Sequence, residues 1–354
     1  MNSEVRHLTQ AKRNKIAPLS IFYILFVSKA AVIITTRQQG QGGYMTKDIL
    51  AALLLSIPVS LLLSIPVIMC VKGGKNPLKN KFVSRLYSLY FIFIAGVNAY
   101  NFSVFASEIL GNFSKAVLFA VLISICAAYC ASLGIESIAR FSAFAFVIFS
   151  VAAALLCLLN INVLDGINVF PLFFSGKTIL RDTFVISCSF SELAVFLTLV
   201  PFTKSREVRC FVFFDVSMLV LSFVMIVFAF AVMGEGFFLF DYPVFALSQT
   251  AGMGGLERLD ALFTSTFTFG IFLRSVTALF CASKSLELND NKRAVVITCG
   301  ASVLLSFLMS RFEPLSDVKS GVSVALFIAF CVVIPILSLM LRKRNAGDEL
   351  IESI

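Results

Sequence analysis

Four polar residues stand together where polar residues are costly. The stretch 183–202, TFVISCSFSELAVFLTLVPF, is apolar and long enough to cross a bilayer, yet Ser187, Ser189, Ser191 and Glu192 gather near its middle. A carboxylate at membrane depth is expensive unless it is paired or solvated, so by default it marks a functional site. Serines and a charge this close together also predict an interrupted helix, which is tolerated at that depth only where it lines a cavity or is buried in protein. The alternative is a kinked structural helix whose serines bond back to their own carbonyls. Two more charges lie within apolar runs: Lys29, beside Ser28 and followed by Ala30 and Ala31, and Arg274. Three intramembrane charges are expensive for scaffolding alone, so they too point to a functional site. His7, the only histidine, lies in the N-terminal tail, and neither Ser nor Cys has a base beside it, so an enzyme reading has little to stand on.

The elements that must position these groups are membrane helices. Of 354 residues, 59% are hydrophobic and 14% charged, whereas soluble domains are about 45–50% apolar and about 25% charged. The chain is therefore an integral membrane protein. Its net charge of +9 sits in loops and tails, where it bears on orientation and anionic lipid headgroups rather than nucleic acid. The nine cysteines fall almost wholly in or at the ends of apolar runs, which reads as small buried hydrophobes rather than a disulfide framework. Cys126 and Cys130 are one helical turn apart, but no His or carboxylate accompanies them, so a metal site is not expected. Gly176-Lys177-Thr178 has the ending of a phosphate-binding loop, but Pro171 stands where its first glycine belongs and no strand precedes it. No cofactor is expected.

Apolar runs near the ~20 residues that a bilayer needs place spans at 18–36, 48–70, 84–110, 115–133, 138–160, 183–202, 208–233, 259–283, 293–310 and 321–341. The first is read as a retained span, since it lacks a small-residue cleavage site. With the N-terminus inside, 19 Lys and Arg fall on the inner side against 8 outside, the other two being Lys29 and Arg274. That asymmetry gives ten spans with both termini cytoplasmic. The domain plan is a tail over 1–17, one transmembrane domain over 18–341 and a tail over 342–354. Two outer segments, 161–182 and 234–256, mix Phe and Leu with Gly, Pro and Asp and are expected to lie as short helices capping what is beneath. The anomaly at Lys29 in span one returns five helices later at 189–192. Interruptions at matching positions of two halves point to an inverted repeat, here 18–160 and 183–341, with a midplane site.

These residues also carry a family likeness. The stretch 184–202 resembles the sixth span of the spore-germination receptor B-subunit family (GerAB-like), within the amino acid–polyamine–organocation superfamily. The stretch 257–285, ERLDALFTSTFTFGIFLRSVTALFCASKS, is similar to that family's eighth span, from Glu257-Arg258-Leu259-Asp260-Ala261-Leu262-Phe263 through Gly270 to a basic residue at Arg274, where the family usually has lysine. Gly134-Ile135-Glu136-Ser137-Ile138-Ala139-Arg140 resembles the motif opening its fifth span, and Tyr242-Pro243 the loop before its eighth. The chain departs at the sixth span, where Ser189-Phe190-Ser191-Glu192 replaces a Pro-x-Gly-Glu motif, and at Ser28-Lys29, where the family break is Gly-Ser-like.

The resemblance implies an all-α, LeuT-like 5+5 inverted repeat with discontinuous helices 1 and 6. It implies a ligand site between spans 1, 3, 6 and 8, drawn from Ser28, Lys29, Ala30, Asn98, Asn101, Ser189, Ser191, Glu192 and Arg274. It further implies a subunit of a germinant receptor in the inner membrane of a bacterial spore, sensing an amino-acid-like nutrient beside A-type and C-type subunits. An autonomous amino-acid or polyamine transporter is the other reading, since one fold serves both. Spans 1 and 6 lie side by side in the implied fold, so Lys29 either pairs with Glu192 or is left free to hold a ligand carboxylate. Sodium-coupled relatives of the fold place an ion between spans 1 and 8, where the resemblance puts Arg274; a fixed guanidinium could take over the ion's electrostatic role.

Overall fold

Backbone in hydrocarbon must satisfy its own hydrogen bonds, and a helix does so within one segment. The apolar runs accordingly fold as helices in this computed structural model, which describes residues 15–35, 47–74, 76–109, 116–170, 175–204, 208–240, 242–250, 260–286, 288, 290–311 and 315–340. The helices are α1 Pro18–Thr35, α2 Ile49–Lys72, α3 Lys81–Ile109, α4 Ala116–Ser132, α5 Ile135–Leu159, α6 Gly176–Cys188, α7 Glu192–Leu199, α8 Val208–Met233, α9 Pro243–Thr250, α10 Asp260–Ser285, α11 Asn291–Arg311 and α12 Leu315–Phe327. A π-helical turn, Ile328–Val333, follows α12. Among the described residues, eight segments are long and apolar enough to cross a membrane, and Pro18–Val32 and Ala116–Ser132 are shorter apolar helices. These ten correspond in order to the ten apolar runs of the sequence.

The sixth run is broken as its serines and glutamate predict. α6 ends at Cys188, the chain turns through 189–191, and α7 begins at Glu192. The first run is not broken, which corrects the expectation of a discontinuous helix 1. α1 is continuous through Ser28, Lys29, Ala30 and Ala31. These residues include neither Gly nor Pro, and Ala and Lys are among the better helix formers, so nothing there opposes helix.

Two groups of helices pack around the break. α3, α4, α10 and α11 contact one another, while α2 packs on α6 and α8. α1 lies between the groups, against α10 on one side and α8 on the other, and α7 touches α1, α2 and α10. Glu192 and Arg274 thereby lie in well-shielded segments: 67% of the apolar stretch within Gly176–Phe202 and 72% of that within Leu262–Ser285 is buried, against 17% for Gly321–Met340. Gly270 permits a close approach of α10 to α1, because a Cβ there would stand 2.7 Å from the Cβ of Ala31. At one end of the bundle Ile16 and Thr203 form an isolated parallel bridge: Ile16 N–H donates to Phe202 O at 2.9 Å and Lys204 N–H to Ile16 O at 3.2 Å. This ties the start of α1 to the end of the broken span.

The two segments expected to carry short helices do so where described, as 3-10 turns at Ile161–Val163, Gly166–Val169 and Gly234–Leu239 and as α9. Residues 171–174, 241 and 251–259, including the start of the Glu257 motif, lie outside the described residues. Lys47 joins the two segments, donating to Phe170 O at 3.1 Å and pairing with Glu235 at 3.0 Å. α9 buries Val244, Phe245 and Leu247, and Phe105 of α3 meets Tyr242 and Phe245 edge-on.

Candidate functional site

The break supplies two helix ends, and the charges are matched to them. Ser189 caps the C-terminal end of α6, where the helix dipole is negative, and Lys29 Nζ donates to its carbonyl oxygen at 2.8 Å and to its hydroxyl at 2.8 Å. Glu192 occupies the first turn of α7, where the dipole is positive and favours a carboxylate. Phe190 lies between the two ends, buried, with its ring centroid 4.3 Å from Lys29 Nζ. A cation over an aromatic face gains further attraction once desolvated.

Arg274 closes the site from α10. One guanidinium nitrogen makes a close ion pair with Glu192 Oε1 and lies 3.4 Å from the Ser28 carbonyl oxygen; the other donates to Ser191 Oγ at 3.0 Å. Lys29 Nζ is 4.0 Å from the other carboxylate oxygen, Oε2, which has no hydrogen-bond partner among the described residues. Glu192 is thus held mainly by Arg274, and Lys29 mainly by the end of α6. Sequence reasoning left open whether Lys29 and Glu192 pair; they are neighbours at the outer limit of a salt bridge. The side chains of Lys29 and Glu192 are 6% and 2% exposed, whereas Ser189 in front of them is exposed. The break therefore faces the molecular surface with two opposite charges directly behind it.

The remaining candidates separate. Ser28 and Ala30 flank Lys29 on α1 and are buried. Asn98 on α3 donates its amide to Ile271 O at 3.2 Å and to Ser275 Oγ, gripping α10 on either side of Arg274 without reaching the charges. Asn101 is exposed and does not join the cluster. Ser187 bonds back to Thr183 O at 2.8 Å, the structural alternative raised for these serines.

One charged residue escaped the sequence reading. Asp215, in α8, is 1% exposed and accepts a hydrogen bond from Ser60 Oγ of α2 at 2.7 Å. Its signal was available: it is the single carboxylate inside the apolar run 208–233. Lys29 and Glu192 act on it through their charge, so two cations, Lys29 and Arg274, and two carboxylates, Glu192 and Asp215, lie in this part of the bundle.

Comparison with known proteins gives the family and the fold. The sequence matches the family model described as "Spore germination protein" over residues 76–314, more than half of the chain, and the protein belongs to that family. It is a multi-pass integral membrane protein. Among solved structures it is similar to a Na+-coupled sialic acid symporter in a substrate-bound, outward-open state, with a TM-score of 0.56 and 14% identity over 91% of this chain and 83% of that one. That likeness shows the LeuT-like symporter fold. No curated protein matches the sequence.

Proposed function

We propose that the protein is the nutrient-sensing membrane subunit of a spore germination receptor and binds a small amino-acid-like ligand at the break between α6 and α7. The observation that carries this reading is the arrangement at the break: two helix ends presented beside the buried Lys29 and Glu192 and the half-buried Arg274. An amino acid carries both signs of charge, and Lys29 and Glu192 offer complementary partners a few ångströms apart. Ser28, Ala30, Ser189 and Ser191 line the same region, and Asn98 fixes the position of α10. Binding acts on a partner only through different affinities for two conformations of the chain. The two shorter apolar helices complete ten spans in this reading, arranged as an inverted repeat of 18–160 and 183–341. Both termini are cytoplasmic, the membrane is the spore inner membrane, and A-type and C-type subunits read the state.

The symporter-like fold favours a second reading, an autonomous amino-acid or polyamine transporter using the same site. Purified protein in sealed vesicles, given labelled amino acids, separates the two. Uptake by the chain alone supports the transporter. Saturable binding without uptake, together with loss of nutrient-triggered germination in spores carrying Lys29→Met, supports the receptor. Neither uptake nor saturable binding of any amino acid or polyamine would overturn both.

A further inference from the structure

Asp215 lies outside the ligand contacts just described, and its surroundings are unusual for a charged group. It is 1% exposed, it lies within a span, and its Oδ2 receives one hydrogen bond, from Ser60. Its Oδ1 is buried with no hydrogen-bond partner among the described residues. An ionised carboxylate accepts at both oxygens, and leaving one buried without a donor is costly. The groups facing it are few. Ser60 of α2 is its hydrogen-bond partner, and Lys29 of α1 and Glu192 of α7 act on it through their charge. α9 and the 3-10 turn Gly166–Val169, which also pack on α8, carry no titratable residue; Asp165 caps that turn, and Glu235 belongs to the 3-10 turn beyond the far end of α8.

We propose that Asp215 and Ser60 form a proton-binding site, with the proton taken up on Asp215 Oδ1 beside the charged cluster. The step forms one O–H bond and takes its proton from water. It replaces a half-satisfied carboxylate with a neutral acid that still accepts from Ser60. The charge balance then carries a consequence that rests on the ligand reading above. With both carboxylates ionised, Lys29 and Arg274 are balanced. With Asp215 protonated, the cluster carries one net positive charge, which favours an anionic group near Lys29. Proton binding and carboxylate binding therefore strengthen one another, and by linkage they do so reciprocally.

The proton itself is the probe. Infrared difference spectra of the full-length protein in lipid nanodiscs, taken between mildly alkaline and mildly acid buffer, should gain a protonated-carboxyl C=O band. The band should vanish in Asp215→Asn at every pH, and in Glu192→Gln it should remain but appear at lower pH, because one negative charge has left the cluster. No such band in the unmodified protein, a band kept in Asp215→Asn, or one lost at every pH in Glu192→Gln would overturn the proposal. Should either variant fail to fold, Ser60→Ala decides: the pH at which the band appears must move, because the hydrogen bond to the charged form has gone, and an unmoved pH refutes the site. No ligand is present in this experiment, so its failure leaves the ligand reading intact.

Discussion

Lys29 Nζ stands 2.8 Å from the carbonyl oxygen of Ser189, so an unbroken helix supplies the cation that caps the broken one. Only one of the two central helices needs to be interrupted for this contact. The long lysine stem spans the gap that an unwound α1 would otherwise have to close. The same ammonium stays within 4.0 Å of Glu192, available to a competing carboxylate without leaving its place.

The first prediction concerns which cation holds Glu192. Removing one member of a buried, hydrogen-bonded ion pair typically costs about 3–5 kcal/mol. Glu192→Gln and Arg274→Met should each lower thermal stability strongly in ligand-free protein, and the double variant should lose less than the sum. The matching cycle between Glu192 and Lys29 should show much weaker coupling. Equal coupling in the two cycles would contradict the division of partners described above.

A second prediction tests the packing of α10 on α1. Gly270→Ala places a methyl group 2.7 Å from the Ala31 Cβ, and overpacking of this kind costs about 1–3 kcal/mol. Ala31→Gly removes the opposing methyl and should restore part of the loss, less about 1 kcal/mol for a glycine inside a helix. Melting curves of the two single variants and the pair decide it. No rescue by Ala31→Gly would mean that the strain lies elsewhere.

How far the sequence foretold this site depends on the kind of force involved. Burying backbone in lipid demands long apolar runs, so the helices could be read off directly. The break at 189–191 was legible because three serines and a carboxylate cannot sit in such a run without a reason. The discontinuous first helix that the resemblance implies is absent because α1 carries no helix breaker and Lys29 needs only reach. The choice of Arg274 over Lys29 as the close partner of Glu192 depends on interhelical spacing set partly by Gly270, which no single span reveals. Asp215 was visible as a residue, but its neighbours on α1, α2 and α7 come from distant parts of the chain.

Sodium dependence offers a third test. Arg274 reaches from α10 to the Ser28 carbonyl on α1, and its guanidinium remains charged at any physiological pH. A permanent cation between these helices leaves no electrostatic call for a metal ion there. Ligand binding or germination response should be the same when sodium is replaced by choline at constant ionic strength. A steep rise with sodium would contradict this.

The fourth prediction is topological. In a cysteine-free background, single cysteines at Gly42 and Lys75 should react with a membrane-impermeant reagent from opposite sides of sealed vesicles, as the split of 19 against 8 basic residues requires. Labelling from one side alone would refute the arrangement.

The Ile16–Thr203 bridge bears on movement rather than on binding. Two backbone hydrogen bonds lash the foot of α1 to the foot of the broken span, each worth about 1 kcal/mol net. Relative movement of the two feet first has to break this tie. Cutting it costs about 2 kcal/mol, a roughly thirtyfold change in population. A ligand that moves the broken span relative to α1 must supply at least that much difference in affinity.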